Sequence, residues 1–285
     1  MTVATPRTRP APALGHVVRA ERLTPGLVRI VVGGPGLAVI TPSPHADSYV
    51  KLMFLPAGER PLQADGRLDL EAVRAALPEG VAPRLRAYTV RGFDPEALEL
   101  TLDLVVHGES GLAGPWAAAV SGGEEVVIQG PGGAWSPSDQ VDHHLLVGDA
   151  SALPAIAVAL ERLAPDARGV AIIEVESAAD ELALDAPAGV TVQWVHSRHG
   201  QPGAALVDAA LAWPWPAGSV GVFVHGEAGS VRALRQYLRV ERAVPRELMS
   251  ISGYWRLGVD DEGWRQSKRE WTQSIESAEQ AAGLD

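Results

Sequence analysis

Along positions 98–107 the chain alternates: Leu98, Leu100, Leu102 and Leu104 are interleaved with Glu99, Thr101 and Asp103. A period of two predicts a strand with one face buried. Apolar runs at 27–32 and 49–55, bounded by Gly and Pro, predict further strands, as do 84–91 and, after a Gly-Gly turn, 124–129. Helical stretches interrupt this half only at 70–77 and 114–120. Strands this closely spaced predict a small antiparallel barrel.

From about His143 the pattern changes. A strand at 144–147 precedes a helix at 151–163, with Ser151 as its N-cap. Strands at 170–175, 190–195, 219–224 and 248–252 then alternate with helices at 178–184, 203–212 and 229–240. Such alternation predicts a doubly wound parallel sheet. The Pro- and Gly-rich stretch 130–141 reads as the linker. The expected chain is therefore β + α/β, with an antiparallel β-barrel domain at 13–136 and a doubly wound parallel-sheet domain at 142–285. The latter ends in an extra C-terminal helix after Asp260, whose Trp264, Trp271, Ile275 and Ala278 share a face that should dock on the body.

A length of 285 residues agrees with two domains, and 46% hydrophobic residues supply ample core. The formal charge of −11 argues against nucleic-acid binding, so an anionic ligand needs a local arrangement of Arg side chains or backbone N–H groups. The absence of cysteine excludes disulfides, thiolate metal sites, Fe–S clusters and Cys nucleophiles. Residues 1–12 lack the apolar core of a signal peptide, and the apolar run 152–160 is far short of a membrane span. A soluble, cytoplasmic protein without membrane insertion is expected. His143 and His144 are adjacent on a strand and point to opposite faces, so no metal site is assigned to them.

Ligands of open α/β sheets bind at the carboxyl ends of the strands. Here those ends read Gly148-Asp149-Ala150-Ser151, Glu174 to Ser177, His196-Ser197-Arg198, His225-Gly226-Glu227 and Gly253-Tyr254-Trp255-Arg256. Small and polar residues at every end suit a dinucleotide crevice, and equally suit ordinary sharp turns. No G-x-G-x-x-G is present, which disfavours a standard Rossmann dehydrogenase.

The barrel half carries Arg86-Ala87-Tyr88-Thr89-Val90-Arg91, with Arg86, Tyr88 and Val90 on one face and Thr89 and Arg91 on the other. An aromatic ring, a hydroxyl and guanidinium groups together suit a flavin ring system and its phosphates. Downstream comes His107-Gly108-Glu109-Ser110-Gly111-Leu112-Ala113-Gly114-Pro115-Trp116, a Gly-rich loop opening a helix, where backbone donors can meet a pyrophosphate.

These motifs in series, with Gly148-Asp149-Ala150-Ser151-Ala152-Leu153-Pro154 and Gly253-Tyr254-Trp255-Arg256-Leu257-Gly258, resemble the siderophore-interacting proteins over about residues 16–271. Those are FAD-dependent ferric-siderophore reductases of the ferredoxin-reductase-like superfamily. The resemblance implies an FAD-binding barrel and an NAD(P)H-binding α/β domain. It implies that Arg86, Ala87, Tyr88, Thr89 and Arg91 bind the flavin and its phosphates. Val106, His107, Gly108, Gly111, Ala113, Gly114 and Trp116 would cradle the rest of FAD. Asp149, Ala150 and Ser151 would line the nicotinamide cleft with Gly226 and Glu227, while Tyr254 and Trp255 would lie near the flavin.

The implied reaction passes a hydride from NADH or NADPH to FAD, then single electrons to ferric iron in its siderophore, releasing ferrous iron. It needs no metal-ligating and no acid–base catalytic residue; orientation and redox tuning are the protein's task. Exposed cations are the candidate siderophore anchors: Lys51, Arg256 and Lys268. Leu112 stands where the family commonly has Pro. In Trp194-Val195-His196-Ser197-Arg198 the arginine is moved by one place, which leaves its 2′-phosphate role, and NADPH over NADH, open. Glu174 and Glu176 make the crevice acidic and favour the free ribose hydroxyl of NADH. A monomer is expected. Other flavin reductases or electron-transfer flavoproteins, and a flavin-containing siderophore-binding or iron-delivery protein, are the alternatives.

Overall fold

The alternating leucines do line a barrel core. In the computed structural model, which describes residues 11–41, 43–108, 111–281 and 283, six antiparallel strands close on one another. They are β1 (Ala13–Thr24), β2 (Leu27–Gly33), β3 (Tyr49–Phe54), β4 (Arg84–Asp94), β5 (Glu99–Val105) and β6 (Glu125–Gly132). Their order is β1-β2-β5-β4-β3-β6, and β6 pairs back with β1. Leu100, Leu102 and Leu104 are fully buried among Ile30, Val50, Leu52 and Ile128. Helix α1 (Leu70–Ala76) covers a satellite cluster through Val73, with Asp69 capping Ala72 N at 3.0 Å. Helix α2 (Ala113–Ala119) follows β5. Residues 1–10, Glu109 and Ser110 lie outside the described residues.

The sequence pattern does not announce β1. Its register slips between Val17 and Arg19 and again between Arg22 and Thr24, so the period of two is broken along the exposed stretch. Likewise, 130–141 is not all linker: β6 runs on to Gly132, so the connection begins after it.

The second half is a five-stranded parallel sheet in the order β11-β10-β7-β8-β9. Its strands are β7 (His143–Asp149), β8 (Arg168–Val175), β9 (Gly189–His196), β10 (Val220–Glu227) and β11 (Met249–Trp255). One face is covered by α3 (Leu153–Arg162), against Leu146, Ile173 and Phe223. The other is covered by α4 (Ala204–Ala212) and α5 (Ala228–Gln236), against Val147, Ile172 and Val224. The strand order reverses direction from β7, which creates the crevice of a doubly wound fold.

Three expectations are corrected. Ser151 does not cap α3; the helix begins at Leu153, and the Ser151 hydroxyl donates instead to Asp149 Oδ1 at 2.5 Å. The helix expected at 178–184 is a single 3₁₀ turn, Ala178–Asp180. Beyond it Leu182, Leu184 and Ala186 pack against the α3 cluster at a spacing of two, which is extended chain. The last helix, α6 (Asp261–Ala281), buries Trp264 and Ile275 as expected but exposes Ala278. Glu279 turns inward in its place to meet Arg235 of α5, with the carboxylate and guanidinium joined by two hydrogen bonds of 2.5 and 2.8 Å.

Candidate flavin and nucleotide cleft

Strand β4 pairs with β3 from Arg84 to Thr89, but with β5 only from Val90 onward. The seam between β4 and β5 therefore opens toward the end where β5 runs into the Gly-rich loop. The alternation along β4 is as its sequence demands: Tyr88 and Val90 pack on the barrel core, while Arg91 points out to Glu161 of α3. Thr89 is buried and Ala87 exposed on the outer face. Burial pushes the Tyr88 hydroxyl well above the ordinary phenol range, so this ring stays neutral.

Arg86 emerges at the open end of the seam. Its guanidinium donates to Asp261 at 3.0 Å and to both oxygens of Glu262 at 2.7 and 2.9 Å, all from the first turn of α6. The hydrogen bond from Arg86 holds the Glu262 carboxyl below its ordinary value, whereas burial raises that of Asp261. Sequence reasoning found the arginine and missed these partners, because the acidic run at 260–262 reads only as a helix start.

In the loop, Gly108 and Gly111 have φ of +53° and +92° with open space where a Cβ would stand. The first turn of α2 has no side-chain cap. Val106 is tied by its amide to Gly26 O at 2.8 Å, and Trp116 packs edge-on against Phe54. Ala113 is buried and Gly114 half-buried at the helix start, and His107 stands exposed before it. Side-chain-free backbone and uncapped amides form a donor set that fits a flavin dinucleotide, while the Arg86 guanidinium is already held by Asp261 and Glu262.

The strand ends of the sheet carry the other candidate residues. Asp149, at the end of β7, is buried and accepts four hydrogen bonds: Ser151 N at 2.9 Å and Oγ at 2.5 Å, Glu227 N at 2.8 Å and Trp255 Nε1 at 2.8 Å. Burial nevertheless raises its pKa. Ala150 and Ser151 are half-buried at the turn. Gly226 has φ +139°, and a Cβ there would meet the Asp149 carboxylate at 2.5 Å. Glu227 caps α5 through Gly229 N and Ser230 N. Tyr254 meets His225 edge-on, and burial first, then nearby Asp47 and Asp149, raise its hydroxyl pKa.

Other expected residues fall elsewhere. Glu174 does not make the crevice acidic: it is buried, and its carboxylate accepts from Gly203 N at 2.6 Å, Leu206 N at 3.0 Å and Ser197 Oγ at 2.8 Å, capping α4. Glu176 is exposed at the same strand end. Arg198 pairs with Asp208 at 2.7 Å. Lys268 donates to Ser252 Oγ at 3.0 Å, and burial lowers its pKa. Arg256 is exposed beyond β11, and Lys51 is half-buried on β3 opposite Ala87.

Residues 16–135 match the siderophore-interacting FAD-binding domain, and residues 141–258 match the siderophore-interacting protein description. The chain belongs to the siderophore-interacting protein family. An uncharacterized protein of Mycobacterium tuberculosis is 44% identical, over 90% of this chain and 94% of its own. Ferric vibriobactin reductase ViuB of Vibrio cholerae is 32% identical, again over 90% and 94%. The crystal structure of the siderophore-interacting protein SipS from Aeromonas hydrophila superposes with a TM-score of 0.76 at 32% identity, covering 92% of this chain and 98% of that one. The fold is ferredoxin-reductase-like.

Proposed function

We propose that this protein reduces ferric siderophores with electrons taken from NADH or NADPH through FAD, releasing ferrous iron in the cytoplasm. One observation carries the reading: Arg86 of β4, the first residue of the barrel motif, is joined to Asp261 and Glu262, which follow the strand-end segment Trp255-Arg256 of the doubly wound sheet closely in sequence. That contact supports placing a flavin half-site and a nicotinamide half-site next to each other. The similarity to a protein named ferric vibriobactin reductase supports the substrate class.

FAD, when bound, supplies the conversion of a two-electron donor into one-electron steps. The protein's own residues do the rest. Tyr88 and Thr89 present an aromatic face and a hydroxyl beside the seam, and the loop from Val106 to Trp116 offers backbone amides to a pyrophosphate. Ala87, exposed on β4, leaves the outer strand face uncrowded next to Lys51. Arg86 serves the flavin phosphates while anchored by Asp261 and Glu262, and Arg91 holds β4 against α3. At the strand ends Ala150, Ser151 and Gly226 keep the crevice narrow and small-lined for the nicotinamide nucleotide. Tyr254 and Trp255 form its flavin-side wall. Lys51, Arg256 and Lys268 are the cations proposed to receive an anionic chelate. None of these residues needs to move a proton or ligate iron.

The test is optical. Purified protein is expected to be yellow and to bleach on anaerobic addition of NADH or NADPH, recovering its colour when a ferric hydroxamate or catecholate chelate is added. Colourless protein that cannot be reconstituted with FAD overturns the reading. Free flavin accepted in place of the chelate would make it a general flavin reductase instead.

A further inference from the structure

Two carboxylates at the strand ends are turned onto the protein's own donors, Asp149 at all four of its acceptor positions and Glu227 through both oxygens. An ionised carboxylate has about four acceptor positions, and Asp149 fills them with Ser151 N, Ser151 Oγ, Glu227 N and Trp255 Nε1. Glu227 likewise receives Gly229 N and Ser230 N on Oε2, and its Oε1 accepts from Leu257 N at 3.2 Å. The two residues are linked directly, because the Glu227 amide is one of the Asp149 donors.

These bonds converge on one short segment. Trp255 ends β11, which among the described residues is an edge strand paired with β10 alone, and the exposed Arg256 follows it. The segment is pinned on both sides of Arg256: by the indole of Trp255 to Asp149 on β7, and by the amide of Leu257 to Glu227 on β10. Glycine at 226 is needed for this arrangement, since any Cβ would strike the Asp149 carboxylate.

We infer that Asp149 and Glu227 are positioning residues that fix Trp255-Arg256-Leu257 as a wall of the nicotinamide crevice and do not themselves touch the nucleotide. This rests on the reading of the sheet as a nicotinamide site. Their acceptor oxygens order the far end of β11, which among the described residues pairs with β10 alone. An indole N–H is the only tryptophan donor, so phenylalanine at 255 breaks the pin while keeping an aromatic wall.

The experiment uses the full-length flavoprotein. With the indole nitrogens ¹⁵N-labelled, Trp255→Phe identifies the Trp255 N–H resonance. In Asp149→Asn that resonance should shift and lose protection from hydrogen exchange; an unmoved, protected signal overturns the inference whatever the reaction is. Anaerobic stopped-flow flavin reduction then gives the affinity for NADH and NADPH. Each single variant should weaken nucleotide binding about tenfold per bound flavin, the worth of one charge-assisted hydrogen bond. The double variant should be no weaker than the worse single. Effects that multiply in the double variant overturn the inference. If Asp149→Asn fails to fold, Trp255→Phe alone decides, because it leaves the other Asp149 donors in place: unchanged nucleotide affinity refutes the pin. A parent protein that holds flavin but is reduced by neither nucleotide refutes the proposed function, and the indole measurement stands apart from that result.

Discussion

His225 stands one position before Gly226-Glu227, and nothing in its local sequence separates it from a surface histidine. In the fold it is buried, stacked on Phe223 at 3.9 Å, edge-on to Tyr254, with Nε2 bonded to Ser250 Oγ at 3.0 Å. Its Nδ1 has no hydrogen-bond partner among the described residues. Burial, helped by the nearby Lys268 charge, brings its pKa down from 6.5 to about 3. In the unfolded chain the ring gains a proton below its ordinary pKa, while in the native protein it stays neutral. The unfolded state then binds more protons, so stability is lost as pH falls from 6.5 toward 3, at roughly 1.4 kcal/mol per pH unit. His225→Phe keeps the ring stack and removes the titration. Between pH 7 and pH 5, urea unfolding of the parent should lose about 2 kcal/mol more than the variant does. Equal losses in the two proteins contradict the assignment.

Elements were legible wherever one periodicity ran uninterrupted. The leucines of β5 announce themselves because its pairing with β2 runs in steady register, and the strands of the parallel sheet because both of its faces are covered and their apolar runs are unbroken. Strand β1 did not, because two register slips rotate its side chains against the simple alternation. The stretch 178–184 fits a helix only by its place in the β/α alternation, whereas Leu182, Leu184 and Ala186 carry the period of extended chain. Helix α6 was legible at Trp264 and Ile275 but not at Glu279, since a buried carboxylate is intelligible only with its partner on α5. The exposed pair Arg246–Glu276 contributes little, whereas Arg235 and Glu279 are both buried. Glu279→Ala strands Arg235 without a counter-charge and should cost about 3 kcal/mol in urea unfolding. Replacing both residues by Met should recover most of that loss, because no buried charge is then left unpaired. A double variant as unstable as Glu279→Ala would show that the helix docks by some other contact.

At the scale of the whole molecule, the candidate site residues of both halves stand in local motifs, but the contacts that press the halves together do not. Arg86 and Glu262 meet across a sequence separation of 176, and no pattern within a window of residues connects them. The seam is continuous. Leu27 and Ala46 of the barrel half share a buried cluster with α3, Asp180 Oδ1 accepts from Gly26 N at 2.8 Å, and Arg162 donates to Pro44 O at 2.6 Å. Trp135, just past the barrel, packs on Phe223 of the sheet with ring centroids 4.6 Å apart. A barrel and a sheet that bury apolar surface against each other lose that stabilisation together, so heating should give one calorimetric transition whose van't Hoff and calorimetric enthalpies agree. Phe223 is the lever, because it belongs to the sheet core yet supports Trp135. Phe223→Ala should lower stability by about 3–5 kcal/mol and shift the whole transition downward without splitting it. Two resolved transitions in the parent, or a variant in which barrel and sheet melt apart, would mean that the halves are merely tethered. The packing between the halves would then not be what sets their relative placement.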